Sequence, residues 1–180
     1  MTNKKFIRFS GIVSLIAVIF LLCFTFACTQ REEGITEEDA KAITDQVLKM
    51  WNEGDIAIAD DLFDPGYVRH HPIPSASASI DDLKKTVTSN RTMFPDYRLS
   101  FDEIILKGDR IIAFATVTGM NTAPLEESPA TGKTILMNGI YVYHVANGKI
   151  TEEWTYFNLL SYYQQLGFAL TPPQLQESPK

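Results

Sequence analysis

The chain has 180 residues, of which 45% are apolar and 21% charged, a composition that suits one folded unit with a substantial core. Sixteen basic residues face 22 acidic ones, and the formal net charge is −6. No basic stripe interrupts this balance, which argues against nucleic acid as a partner, because phosphate neutralisation needs clustered Lys and Arg. The only two cysteines, Cys23 and Cys28, lie close to the start. Disulfides within the folded part, cysteine nucleophiles and thiolate metal sites are therefore excluded.

The N-terminus reads as an export signal. Lys4, Lys5 and Arg8 precede an almost wholly apolar run from Gly11 to Ala27, and the chain then turns polar at Thr29-Gln30-Arg31-Glu32-Glu33. The stretch Thr25-Phe26-Ala27-Cys28 resembles the processing box of bacterial lipoproteins. That resemblance implies cleavage before Cys28, lipid attachment there and an exported, membrane-anchored protein of the cell envelope. An uncleaved transmembrane anchor is the alternative, the run being near the short edge of the roughly 17–25 residues that span a bilayer. The expected organisation is a signal over 1–27, a lipidated Cys28 with a short tether to residue 35, a domain over 36–168 and a tail over 169–180. The leader contains three of the basic residues and no acid, so residues 28–180 carry a net charge of −9.

Helices come first in the domain. Thr36 with Asp39 reads as a variant capping box, followed by Ala40, Ile43, Val47 and Met50-Trp51 at helical spacing. Gly54 stops this helix, and Asp55 can cap a short second one bearing Ile58, Leu62 and Phe63, which Pro65-Gly66 ends. Tyr67 to His71 reads as a short strand. Ser79 is a plausible cap for a third helix through Leu83 and Val87 to about Arg91.

Strands dominate the second half, over Arg98 to Leu106, Ile111 to Met120, Ile135 to Val145 and Ile150 to Phe157. Gly108-Asp109 and Asn147-Gly148 are turns, the latter a strong two-residue hairpin signal. Helices followed by an antiparallel meander give an α+β domain with helices on one face of a curved sheet.

Several segments are similar, in order and spacing, to the SnoaL-like polyketide cyclase family. They are Trp51-Asn52-Glu53-Gly54-Asp55, Leu62-Phe63-Asp64-Pro65, Tyr67-Val68-Arg69-His70-His71-Pro72, Phe94-Pro95-Asp96-Tyr97, Gly148 to Trp154 and Gln164-Gln165-Leu166-Gly167. The resemblance covers residues 36–168. It implies the nuclear-transport-factor-2-like fold, a cone of bent antiparallel sheet and three N-terminal helices open to a pocket. Members include cyclases, isomerases and epoxide hydrolases, so fold alone does not fix function.

A regular two-residue hairpin at Asn147-Gly148 pairs Tyr143 with Glu152, Tyr141 with Trp154, Gly139 with Tyr156 and Met137 with Asn158. In that register Met137, Tyr141, Trp154, Tyr156 and Asn158 share one face, the expected lining of a small-molecule pocket. The resemblance implies a catalytic carboxylate four residues after the tryptophan and a histidine in the Gly119 motif. Those positions hold Asn158 and Asn121. An amide can donate and accept hydrogen bonds but has no titratable proton near neutral pH. His70 shares parity with Val68 and is expected to point inward, with His71 and Arg69 facing solvent; Glu153 reads as surface. His144 falls on the outer face.

The expected function is binding of a small apolar or aromatic molecule, with Trp154, Tyr156, Tyr141 and Met137 as ligand contacts. The alternative is an acid–base cyclase or isomerase using His70 or Glu152, with Asn158 and Asn121 as donors to an enolate-like oxygen. No metal site or cofactor is expected, since no histidines and carboxylates stand at ligand spacing. Ile140 and Val142, with Ile112 and Phe114 beside them, suggest an apolar outer face and a homodimer.

Overall fold

The computed structural model describes residues 34–71, 79–125, 128–169 and 171. The expected signal over 1–27, the lipidated Cys28 and the tether as far as residue 33 lie outside the described residues. So do residues 72–78 and nearly all of the expected tail.

Helix α1 (Glu37–Glu53) begins where the sequence pattern places it. The Thr36 hydroxyl accepts a hydrogen bond from the Asp39 N–H at 3.1 Å and donates to its carboxylate at 2.7 Å, satisfying a donor that the first turn leaves orphaned. Glu37, Glu38 and Asp39 add negative charge at the positive end of the helix dipole. Gly54 ends the helix in the left-handed region, at φ 77°. Ala40, Ile43, Val47, Met50 and Trp51 form its buried stripe.

A 3₁₀ turn (Ile56–Ile58) and the one-turn helix α2 (Ala59–Leu62) lead into β1 (Phe63–His70). Helix α3 (Ile80–Met93) is capped by Ser79, which accepts from the Asp82 N–H. Strands β2 (Arg98–Lys107), β3 (Arg110–Met120), β4 (Thr134–Ala146) and β5 (Lys149–Phe157) follow, and helix α4 (Leu159–Leu166) closes the described chain. The sheet order is β1-β5-β4-β3-β2, antiparallel throughout except that β1 lies parallel to β5. The expected α+β architecture, three N-terminal helices against a curved sheet, is the one observed; α4 is an addition to it.

The β4–β5 hairpin starts as expected. Asn147 and Gly148 both have positive φ, at 53° and 74°, and Ala146 pairs with Lys149. After one more pair, Val145 with Ile150, the register shifts: His144 pairs with Glu152, and Thr151 is the extra residue of a β-bulge. Because side chains alternate with a period of two, one extra residue turns the rest of β5 over. Tyr143 now faces Glu153, Tyr141 faces Thr155 and Gly139 faces Phe157. Glu153, Thr155 and Phe157 point inward, and Glu152, Trp154 and Tyr156 point outward. This corrects the regular hairpin register and the pocket positions it assigns to Trp154 and Tyr156.

Strand β1 is also inverted relative to expectation. Tyr67 and Arg69 are buried, whereas Val68 and His70 are exposed. His70 stacks on Trp154 with ring centroids 4.6 Å apart, and its Nε2 lies 3.0 Å from Glu152 Oε2. That hydrogen bond is the main cause holding the Glu152 carboxyl below the usual carboxylate range. His144 lies on this outer face, as expected, with Nε2 2.8 Å from Asp109 Oδ2. The outer face carries an unbroken cross-strand row, His70–Trp154–Val142–Ile112–Ile105. Phe114 and Ile140 pair beside it, so the apolar outer stripe read from the sequence is present.

Candidate functional site

A cavity of about 660 Å³ lies between the inner face of the sheet and the helices. This is within the range of small-molecule pockets, roughly 300–1,000 Å³. Trp51 of α1 and Phe94 and Tyr97 from the α3–β2 link supply one aromatic wall. Ile135, Met137 and Tyr141 of β4 and Phe157 of β5 form the sheet side, and Leu159 and Tyr162 enter from α4. Asp82, Lys85, Thr86 and Asn90 of α3 line it too, together with His71.

Local chemistry fixes each wall. The Asn52 amide pairs with both backbone groups of Leu99, accepting from its N–H at 2.7 Å and donating to its carbonyl at 2.9 Å. That joint ties the end of α1, and with it Trp51, to the start of β2. Arg91 donates to the carbonyls of Asn52, Pro95 and Tyr97, which fixes the link bearing Phe94 and Tyr97. The Phe157 ring lies over Gly139, where an added Cβ would come within 2.3 Å of the ring and 2.6 Å of the Tyr156 carbonyl oxygen. Glycine there lets Phe157 pack edge-on against Tyr141, at a centroid separation of 5.5 Å.

Beneath the aromatic wall sits a buried ion pair. Arg69 Nε donates to Glu153 Oε1 at 3.1 Å, with side chains only 4% and 2% exposed. Thr155 donates to the same oxygen at 2.7 Å, and the Tyr67 hydroxyl donates to Glu153 Oε2 at 2.7 Å. Both carboxylate oxygens are thus satisfied, as a buried charge requires. Burial is the largest single effect on Arg69 and works against its charge, but the Glu153 carboxylate and the neighbouring Tyr67, Tyr141 and Tyr143 phenols together outweigh it and leave the guanidinium more basic than usual. Arg69 and Thr155 reach the cavity wall.

Burial, more than any neighbouring charge, raises the phenol pKa of Tyr67, Tyr97, Tyr141 and Tyr143. All four phenols are neutral at any physiological pH, and the buried Tyr143 hydroxyl has no hydrogen-bond partner among the described residues. The sign of the linkage follows. Above the ordinary phenol pKa of about 10, the unfolded chain loses protons that the folded chain keeps, so stability falls as pH rises through that value. A near-ultraviolet titration should find these four phenols protonated until the circular dichroism signal collapses. Full phenolate absorbance from an intact fold would contradict their burial.

The residues singled out from the sequence separate into three groups. Tyr141 and Met137 line the cavity, as expected. Trp154, Tyr156 and His70 lie on the opposite face of the sheet, removed from it by the Thr151 bulge and by the facing of β1. Asn158 caps α4, accepting from the Ser161 N–H at 3.0 Å, and Asn121 is fully buried as a loop clamp. Its Oδ1 accepts from the Thr131 N–H at 2.7 Å and the Thr131 hydroxyl at 3.1 Å, and its Nδ2 donates to the Ala123 carbonyl at 2.8 Å. Neither asparagine is among the cavity-lining residues. Sequence reasoning missed Arg69, Glu153 and His71, all expected to face solvent. Among the described residues, no group of three or more His, Cys, Asp or Glu is placed to hold a metal ion.

An α+β domain whose bent sheet and helices enclose an aromatic cavity is of the nuclear-transport-factor-2-like class. Residues 41–166 match the SnoaL-like polyketide cyclase family, and the chain belongs to that family. TsrD from Streptomyces laurentii superposes with a TM-score of 0.67 at 24% identity, covering 74% of this chain and 98% of that one. A candidate polyketide cyclase from Acidithiobacillus ferrooxidans gives 0.65 at 28% identity, covering 73% and 96%. A hypothetical protein with a ketosteroid isomerase-like fold from Catenulispora acidiphila, in complex with trimethylamine, gives 0.59 at 16% identity, covering 72% and 97%. No curated protein sequence matches the chain.

Proposed function

We propose that the domain binds a compact aromatic molecule in its cavity and turns it over slowly or not at all. The observation that carries this reading is a cavity with aromatic rings on several walls, while the family positions for proton transfer are amides engaged elsewhere, Asn158 in a helix cap and Asn121 in a loop clamp. An acid–base enzyme is the second reading. It passes from His70 and Glu152, which lie on the outer face, to His71 and Asp82, which line the cavity.

The chain has two tryptophans, and only Trp51 lines the cavity. In the Trp154→Phe variant, acetonaphthone should therefore quench the remaining tryptophan saturably. Met137→Trp, which fills the cavity from β4, should abolish the heat of binding in calorimetry. Unchanged fluorescence, or unchanged binding to the filled variant, would overturn the binding reading. Rapid conversion of a carbonyl substrate that is lost in His71→Ala would favour the enzyme instead.

The membrane tether through Cys28 belongs to the same proposal. A lipid anchor would keep the cavity near the bilayer, where apolar ligands concentrate, and the acidic domain itself offers anionic lipid nothing. Mass spectrometry of membrane-bound protein should find a lipid-modified Cys28 as the N-terminus. An intact Met1 would rule out lipoprotein processing.

A further inference from the structure

The outer face of the sheet is apolar across its middle and charged at its margins. Residues directly opposite one another share a face, so the pairing register lays this face out in rows. The first row runs Glu152, His144, Arg110, Lys107. The second passes through Trp154, Val142, Ile112 and Ile105, and the third through Tyr156, Ile140, Phe114 and Glu103. The fourth is Asn138, Thr116 and Asp102, where Asp102 is the extra residue of a bulge in β2. The Thr116 hydroxyl donates to the Asp102 carboxylate at 2.6 Å and accepts from Asn138 Nδ2 at 3.0 Å, so this carboxylate also lies on the outer face.

In the middle rows Ile105, Phe114 and Tyr156 are 42%, 38% and 56% exposed. A contiguous patch of this kind marks an interaction surface. The charges beside it are placed in a self-complementary way. On β2 and β3, the cations Lys107 and Arg110 stand at one end of the patch and the acids Asp102 and Glu103 at the other. Among the described residues Lys107, Asp102 and Glu103 form no ion pair, and Arg110 reaches Asp109 only at 3.9 Å. Consider a second copy related by a two-fold axis that runs across the strands, midway between the second and third rows. Ile112 then meets Phe114, Val142 meets Ile140 and Trp154 meets Tyr156, apolar on apolar. The first row lies over the fourth, so Lys107 and Arg110 come onto Asp102, with Glu103 one row, about 7 Å, away. The strands of the two sheets stay nearly collinear, as in aligned sheet packing. An axis along the strands would set Arg110 on Glu152 instead. But Glu152 is already held by His70 and His144, and Asp102 and Glu103 would stay unpaired.

We propose that a second copy of this chain covers the outer face, with the Lys107–Arg110 end of each copy on the Asp102–Glu103 end of the other. The contact is isologous, so each pairing occurs twice. The apolar middle supplies affinity, and the charged ends fix the register and exclude the unreversed arrangement. The cavity, on the opposite face of the sheet, is left uncovered.

Light scattering of the full chain in mild detergent, with the detergent mass subtracted, should find two chains per particle. Phe114→Glu, at the centre of the patch, should leave one. Lys107→Glu with Arg110→Glu should weaken the dimer at least about tenfold, because like charges then face each other. Adding Asp102→Lys and Glu103→Lys to that variant should restore the dimer, since every pair across the axis again has opposite signs. This rescue does not depend on Phe114→Glu and tests the arrangement by itself. One chain per particle in the unmodified protein would overturn the proposal; if deleting residues 172–180 then produced a dimer, that tail would be the occupant of the face. A dimer that survives Phe114→Glu would lie elsewhere on the molecule and overturn it as well. Charge reversal without effect, or without rescue, would overturn the two-fold arrangement assigned here.

Discussion

Replacing Glu153 by Gln should destabilise the domain by about 3–5 kcal/mol, the usual cost of breaking a buried ion pair by removing one partner. The substitution conserves shape and removes charge. It leaves the Arg69 guanidinium inside the protein without its counterion, and it weakens acceptors used by Tyr67 and Thr155. The surface pair Lys41–Asp45, with side chains 73% and 58% exposed, is the internal control. Asp45→Asn should cost no more than about 1 kcal/mol, because solvent screens such pairs. The double variant Arg69→Met, Glu153→Leu should recover much of the loss, since it removes both desolvation penalties along with the attraction. Urea denaturation of the four proteins measures all of this through the shift in midpoint at constant slope. If Glu153→Gln cost as little as Asp45→Asn, the pair would have to be solvated, and Arg69 would not be held against the cavity.

Much of the fold is legible in the sequence because its signals are local. Thr36, Ser79 and Asn147-Gly148 each act within a few residues, and the helix and hairpin boundaries they imply are those observed. The outer apolar stripe is legible because Ile112, Phe114, Ile140 and Val142 alternate regularly on two strands that pair without a bulge.

The cavity face is not legible, because it depends on events that leave no local mark. Nothing in Ile150-Thr151-Glu152 distinguishes a bulge from a regular ladder, yet that single residue decides whether Trp154 or Thr155 faces the cavity. In β1 an arginine in alternation with histidine reads as the solvent side. Arg69 turns inward because Glu153, 84 residues later in the chain, neutralises it there. Bulge and ion pair are coupled, since only the shifted register brings Glu153 to the inner face. The short helix α4 is not legible either, because an asparagine such as Asn158 suits a helix cap and a pocket amide equally well.

The same distinction separates the two asparagines that stand where the family resemblance implies an acid and a histidine. Asn158→Asp should change stability by no more than about 0.5 kcal/mol. Aspartate caps a helix as well as asparagine does, and its charge sits favourably at the N-terminus of α4. Asn121→His should instead cost about 2–4 kcal/mol, by overpacking a fully buried site and orphaning its hydrogen-bond partners. An imidazole offers one donor and one acceptor at fixed positions. The amide uses its oxygen for the Thr131 N–H and hydroxyl and its nitrogen for the Ala123 carbonyl. Around it the loop closes through Asn121 N–H to the Lys133 carbonyl and Gly132 N–H to the Asn121 carbonyl, at 2.9 and 3.0 Å. Restoring both family residues together should therefore lower the melting temperature, nearly all of it through Asn121→His, and create no cyclase activity. Thermal melts of the two single variants and the double, with turnover of an aromatic ketone substrate, decide the matter. A double variant that melts with the parent protein and gains turnover would place Asn121 at the ligand after all and make the clamp incidental.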